Sequence, residues 1–340
     1  MLQRIATKLT HRIYEMPVLV LMPHSRCNCR CVMCDIWKAN SEKKEISIED
    51  LATHLQTFKK LGVKRVALSG GEALMHSNLW KFCEQLNSIG IKISLLSTGL
   101  TLKTHASEIV VHCDDVIVSL DGSKDVHNKI RNIPKAYEKL TEGIEAIKKI
   151  NPSFRITGRS VIQKTNFRDF QNTVAAAKEL GLDQISFLAA DVSSSAFNRP
   201  NEWEGERKGE IALSLNEANE LEEILKDSFD RLKKEFQKKF IAESPDKMLG
   251  LVQHYRAYYG KESFPRRNCN APWVSAVIEP NGDVFPCFFH ERYGNIHDEP
   301  FEKIINSSKA ILFRKTLDLE EDPICKKCVC SLKIGITQQV

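Results

Sequence analysis

Short, nearly uninterrupted apolar runs recur along the first half of the chain, at 17–22, 64–69, 91–97, 115–120, 154–162 and 184–190. Each has the length of a strand. The segments between them carry apolar residues at helical spacing and start signals such as Ser47-Ile48-Glu49-Asp50. Strand and helix alternating in this way predict an α/β fold built on a parallel sheet. After residue 190 the alternation stops. Residues 191–200 read as a loop over the C-terminal ends of the strands, a lid for whatever binds there. Ser214 with Glu217 opens a helix whose stripe Leu221, Leu225, Phe229, Leu232, Phe236 and Phe240 is expected to pack on the strand-and-helix body. Trp273–Glu279 and Asp283–Phe285 flank Pro280-Asn281-Gly282 and predict a β-hairpin with a glycine turn. The expected division is 1–190, a loop and helical connection over 191–260, and a small unit over 261–340.

Cys27, Cys31 and Cys34 follow the first apolar run as C-x3-C-x2-C. Three closely spaced thiolates hold three irons of a 4Fe–4S cluster and leave the fourth iron open to a small molecule. A structural metal wants every ligand from protein. Zinc is the alternative occupant, since Cys29 adds a thiol, but tetrahedral zinc sites pair two short C-x2-C turns that this segment lacks. Cys29 lies between two ligands and is expected to point away from the metal.

The second strand runs directly into Gly70-Gly71-Glu72. Paired glycines let backbone approach a ligand closely, and a glutamate offers a carboxylate to a cationic amine. The cysteine spacing and this triplet together resemble the radical S-adenosylmethionine (SAM) enzymes. That resemblance implies a partial (β/α)6 barrel with its site at the C-terminal strand ends. It implies a cluster on Cys27, Cys31 and Cys34 chelated by SAM, with Gly70, Gly71 and Glu72 binding the SAM amino group. Met33 departs from the pattern, because an aromatic residue often precedes the third cysteine; methionine also packs against a ring.

Other strand ends extend the match. Val118-Ser119-Leu120-Asp121-Gly122, with His127 and Arg131, resembles the Ser-x-Asp-Gly segment of radical SAM proteins that carry additional C-terminal clusters. Ser119 becomes a candidate SAM contact, and Asp121 is expected to face SAM or substrate. Arg155 and Arg159 share one face of the fifth strand, and Arg159 is the candidate to hold the SAM carboxylate in a guanidinium fork. The alternative is that both are surface arginines. Leu188, near the sixth strand end, is a candidate neighbour of adenine.

Cys269, Cys287, Cys325 and Cys328 bring four thiolates from distant segments, enough to saturate a second 4Fe–4S cluster. Twelve residues separate Cys269 from Gly282 and four separate Gly282 from Cys287, which resembles the opening of SPASM and twitch auxiliary-cluster domains. The end is shorter than full SPASM, C-x2-C-x-C, and implies one auxiliary cluster. A zinc ribbon is the alternative. Cys330 is left over: a replacement for Cys328, a free thiol, or a hydrogen-atom donor to substrate. Cys83 and Cys113 lie in apolar-periodic helical stretches and read as buried thiols.

No N-terminal apolar run has signal-peptide length and no run is long enough to span a membrane, so eleven cysteines point to metal thiolates in the reducing cytoplasm. The net charge of +5 is spread over lysine pairs on helix faces. It suits docking of an acidic flavodoxin- or ferredoxin-type electron donor and offers no aromatic-interleaved basic patch for nucleic acid. Three functions follow. The first is oxidation of a polar small molecule, sugar- or cyclitol-like or phosphorylated, with the auxiliary cluster accepting an electron, or its epimerisation. The second is modification of a ribosomally made peptide, by cross-linking or epimerisation. The third is a non-catalytic iron–sulfur or zinc protein. Only 26 residues precede Cys27, which favours the small molecule over a peptide needing a leader-binding domain.

Overall fold

The computed structural model of the protein describes every residue except 200 and 339. Strands β1 Val18–Leu21, β2 Arg65–Leu68, β3 Lys92–Ser97, β4 Asp115–Ser119, β5 Arg155–Ile162 and β6 Gln184–Ala189 fall within the six predicted runs. Each pairs in parallel with its neighbour in the chain, with helices in every connection. Strand periodicity assigns the two faces. Leu19, Leu21, Val66, Leu68, Ile93, Leu95, Val116 and Val118 are buried against the helices. Val18, Val20, Ala67, Leu96 and Ile117 point the other way and line an internal cavity.

The other edge of β1 is not free. It pairs in parallel with β7 Ser275–Ile278, so that Leu21 stands opposite both Leu68 and Ile278. The predicted hairpin continues with β8 Asp283–Phe285, antiparallel to β7, and Gly282 takes a left-handed φ of 84° at its turn. A two-residue strand, β9 Gly294–Asn295, completes one nine-stranded sheet of order β6-β5-β4-β3-β2-β1-β7-β8-β9. The hairpin therefore extends the barrel's own sheet. Its first strand starts two residues later than the pattern predicts, because 271–274 forms a helical turn.

The far edge, β6, is covered from the connection. The Ile185 N–H donates to Phe240 O at 2.7 Å and Ala242 N–H donates to Ile185 O at 2.9 Å, which satisfies backbone groups an open edge would expose. The helix opened by Ser214 and Glu217 carries the predicted capping box but ends at Arg231. A second short helix, Lys233–Gln237, carries Phe236, so the expected single stripe is bent at Leu232. This bend and the left-handed Lys239 bring Phe240 back onto β6. Among the described residues no helix is long and apolar enough to cross a membrane.

Polar clamps tie the C-terminal helices to the N-terminal segment. The buried Asn306 amide accepts from Ile13 N–H at 2.7 Å and donates to Ile13 O at 3.1 Å. The enclosed Arg314 guanidinium donates to His11 O at 2.6 Å and Ile305 O at 2.8 Å. Asn306→Ala leaves a buried N–H and a buried carbonyl without partners and is expected to lower unfolding free energy by about 2 to 4 kcal/mol. An anaerobic urea titration of the cluster-loaded protein measures this; a midpoint equal to wild type contradicts it.

Candidate active site

Cys27, Cys31 and Cys34 open onto one cavity of about 290 Å³ at the C-terminal ends of the strands, lined also by Gly70, Gly71, Ser119, Arg159 and Leu188. Eight of the ten residues predicted at the open-iron site thus converge with Met33, and the loop residues Phe197 and Arg199 close over them. The cysteine loop is held by its own backbone. Asn40 bonds both Cys27 N–H at 3.0 Å and Cys27 O at 2.8 Å, and Glu72 N–H donates to Arg26 O at 2.9 Å. Gly70 takes a φ of 106°, and a Cβ on Gly71 would stand 2.1 Å from Arg26 O. No other residue type lets the two loops meet here.

Glu72 and Asp121 were expected to face cofactor or substrate, and neither carboxylate lines the cavity. Both are fully enclosed. Glu72 accepts from Thr98 N–H and Thr98 Oγ1, each at 2.7 Å, from Ser97 Oγ at 3.1 Å and from Leu74 N–H at 3.2 Å. Burial pushes its pKa up. Its function in this geometry is to fix Thr98, which does line the cavity and reaches Asn28 at 2.9 Å. Asp121 pairs with Arg131 and accepts from Val161 N–H at 2.8 Å. Arg131 in turn donates to Cys31 Sγ at 3.4 Å.

Cys29 is buried and outside the cavity lining, as expected, but it is not idle. Its thiol bonds the Cys31 sulfur, and with the Arg131 charge this pulls the Cys31 pKa down to about 6. Burial pushes Cys34 up to about 11 and raises Cys27 as well. Three thiolates crowded in a dry cavity repel, and cationic iron relieves that repulsion. The soft set of three neighbouring thiols and the open cavity beside it, where Cys330 of the C-terminal segment is the one further thiol among the described lining residues, fit a cluster with one free corner.

The second set also converges. Cys269, Cys287, Cys325, Cys328 and Cys330 line one cavity of about 440 Å³ that continues into the barrel lumen. Backbone N–H groups support the sulfurs: Ala271 donates to Cys269 at 3.5 Å, Cys330 to Cys328 at 3.4 Å, and Phe289 and His290 to Cys287. Cys325 lies in the helix Pro323–Lys327, capped by Asp322, where the chain's N–H groups are committed. His290 Nε2 meets its sulfur at 3.2 Å instead. Four thiolates with donors aimed at them fit a saturated cluster, and the fifth thiol, Cys330, is not a loose tail group. It lines both cavities, as do Ser69, Leu96, Ile117, Arg159, Phe288 and Phe289.

Comparison with known proteins agrees with this arrangement. Residues 21–177 match the radical SAM superfamily, and residues 269–329 match the SPASM iron–sulfur cluster-binding domain. The chain is a member of the radical SAM superfamily with a C-terminal SPASM domain, and is an enzyme that uses SAM and iron–sulfur clusters. It is 26% identical over 323 residues to the AdoMet-dependent heme synthase of Methanosarcina barkeri, covering 90% of this chain and 86% of that protein. In fold it is similar to Streptococcus suis SuiB bound to precursor peptide SuiA, with a TM-score of 0.68 at 14% identity over 96% of this chain and 74% of that one. It is also similar to anSMEcpe with bound AdoMet, with a TM-score of 0.66 at 22% identity over 92% of this chain and 85% of that one.

Sequence reasoning missed Thr98, Asn28, Arg199, Arg267 and His290. Position at a strand end was the available signal for Thr98, and a place within two residues of a ligand cysteine was the signal for Asn28 and Arg267. Arg131→Gln strips Cys31 of its charged donor and is expected to weaken retention of the first cluster about 10- to 100-fold, the usual effect of losing a partner behind a metal ligand. Iron release to a chelator measures it. The double variant Arg131→Met/Asp121→Asn removes the buried unpaired charge and recovers stability without recovering iron retention. Wild-type retention in either variant contradicts the assigned role.

Proposed function

We propose that the protein oxidises a small molecule held in the barrel lumen between its two thiol sets. The observation that supports this reading is the shared wall: Arg159, Phe288, Phe289 and Cys330 border both cavities, so a molecule in the lumen reaches from one set to the other. Cys27, Cys31 and Cys34 would hold the SAM-binding cluster, and Cys269, Cys287, Cys325 and Cys328 the auxiliary one. When bound, these groups supply reductive cleavage of SAM to a 5′-deoxyadenosyl radical for hydrogen-atom abstraction and an acceptor for the second electron of the oxidation.

The chain's own contribution is positioning and exclusion of water. Thr98 and Ser119 would offer polar groups to SAM, Met33 and Leu188 would offer apolar surface to its adenine, and the 191–199 loop closes the mouth. That loop is pinned by Arg199, which binds Asp191 at 2.8 Å, donates to Met33 O at 3.3 Å and stacks on Trp203 at 3.9 Å. The lumen lining of Val18, Val20, Ala67, Leu96, Ile117 and Val277 favours a substrate with an apolar body over the sugar-like molecule expected from sequence.

Two alternatives have specific support. Cys330 at the junction suits hydrogen-atom return and hence epimerisation. A precursor peptide is bound in the SuiB structure of similar fold, which favours a peptide substrate. An acidic flavodoxin or ferredoxin as electron donor, docking on the lysine-rich helix faces, and a cytoplasmic location belong to the same reading.

Anaerobically reconstituted protein with dithionite and SAM is expected to release 5′-deoxyadenosine, and the triple change of Cys27, Cys31 and Cys34 to alanine to abolish it. Release surviving that change sinks the assignment. In deuterated water with the true substrate, oxidation gives product two mass units lighter and free of solvent deuterium. Deuterium at an inverted carbon, lost in Cys330→Ala, replaces oxidation with epimerisation.

A further inference from the structure

Five arginines line the two cavities: Arg65, Arg131, Arg159, Arg199 and Arg267. Three of them carry their own carboxylate. Arg65 pairs with Asp115 at 2.7 Å, Arg131 with Asp121, and Arg199 with Asp191 at 2.8 Å. Arg159 and Arg267 form no ion pair among the described residues, and both face the 440 Å³ lumen cavity. Both are half-buried and neither meets a carboxylate, so an anion entering the lumen finds guanidinium charge there that no carboxylate already neutralises.

The surroundings of Arg267 sharpen the point. Its Nε is buried without a hydrogen-bond partner. One terminal nitrogen lies 3.1 Å from Nδ1 of His254, a buried imidazole whose pKa burial lowers to about 3. His254 therefore orients the guanidinium as a neutral base and adds no charge of its own, while the Cys328 and Cys330 thiols are among the nearby groups able to carry negative charge. His254 is itself fixed by the aromatic rings of Tyr255, Tyr258 and Phe264. Arg159, across the lumen on β5, has only a 3.4 Å contact from Nε to Ser186 Oγ, and Glu243 nearby lies beyond ion-pair distance and accepts Phe187 N–H at 2.9 Å. Cys330 is near enough to both arginines to feel their charge. The strand side of the wall carries an apolar stretch of Val18, Val20, Ala67, Leu96, Ile117 and Val277.

We propose that Arg267, with Arg159 opposite, forms an anion subsite in the lumen that takes a carboxylate of an otherwise apolar substrate. The proposal rests on the reading of the lumen as the substrate site and narrows the substrate to that chemical class. Arg267 supplies the fork that fixes one end of the molecule. The apolar wall takes the body and turns its reacting carbon toward the cavity of Cys27, Cys31 and Cys34.

The test uses the holoenzyme with both clusters and SAM bound, and two probes of one shape, 1-naphthaleneacetate and 2-(1-naphthyl)ethanol, in anaerobic equilibrium dialysis. Wild type is expected to bind the acid about tenfold or more tightly than the alcohol, the value of one charge-assisted fork. Arg267→Gln is expected to lose that preference while keeping the alcohol affinity, and Arg267→Lys to retain part of it. Arg159→Gln provides a second variant with the same expected direction. Equal binding of acid and alcohol by wild type overturns the proposal. A preference unchanged in Arg267→Gln, together with a shifted potential or altered electron paramagnetic resonance of the auxiliary cluster, also overturns it and assigns the guanidinium to the cluster's thiolates. Release of 5′-deoxyadenosine, measured on the same samples, separates failure of this subsite from failure of the radical SAM reading.

Discussion

Everything at the site depends on the two parallel partners of β1. Leu21 at its end is level with Leu68 of β2 and Ile278 of β7, and the next backbone bonds, Ser69 N–H to Leu21 O at 2.8 Å and Met22 N–H to Ile278 O at 2.9 Å, carry that register past the strand ends. Three chain segments thus leave the sheet at one level: the cysteine loop after β1, the glycine pair after β2 and the hairpin after β7. Parallel pairing places functional loops at one edge of a sheet. Here it also welds the second thiol set to the first, since Cys269 and Cys287 flank the hairpin that β1 anchors.

Around that edge, buried charge is organised in relays. Asp121 holds Arg131, which donates to Cys31. Glu72 holds Thr98, which faces the cavity and reaches Asn28 in the cysteine loop. Asp191 holds Arg199, which ties the closing loop to Met33. In each relay an enclosed carboxylate sets the direction of a neighbour that meets the cavity. Such pairs add little net stability over an apolar core but fix geometry, because breaking one leaves a costly unpaired charge.

The six strands and both thiol sets were legible because each leaves a local mark: an apolar run, a short cysteine spacing, a glycine pair after a strand. What escaped the sequence was non-local. The β1–β7 pairing joins segments far apart in the chain, and nothing in Ser275–Ile278 distinguishes an appended hairpin from an extension of the barrel. The bend at Leu232 was hidden because the apolar spacing continues through it, while the cover over β6 requires it. Glu72 and Asp121 were expected to face a ligand, and their carboxylates meet Thr98 and Arg131 instead, because side-chain facing at a strand end depends on such neighbours. His290 and the unpaired state of Arg267 become visible only when Cys325 and the lumen are in place.

The account stands on two separate iron clusters held by two separate thiol sets that share one lumen. Metal analysis of anaerobically reconstituted protein tests this most directly. The account expects about eight irons per chain in wild type, about four when Cys27, Cys31 and Cys34 are replaced by alanine, and about four when Cys269, Cys287, Cys325 and Cys328 are replaced, as two four-iron sites require. Four irons with one zinc in wild type, the zinc lost only with the second set, would contradict it and make the C-terminal site structural.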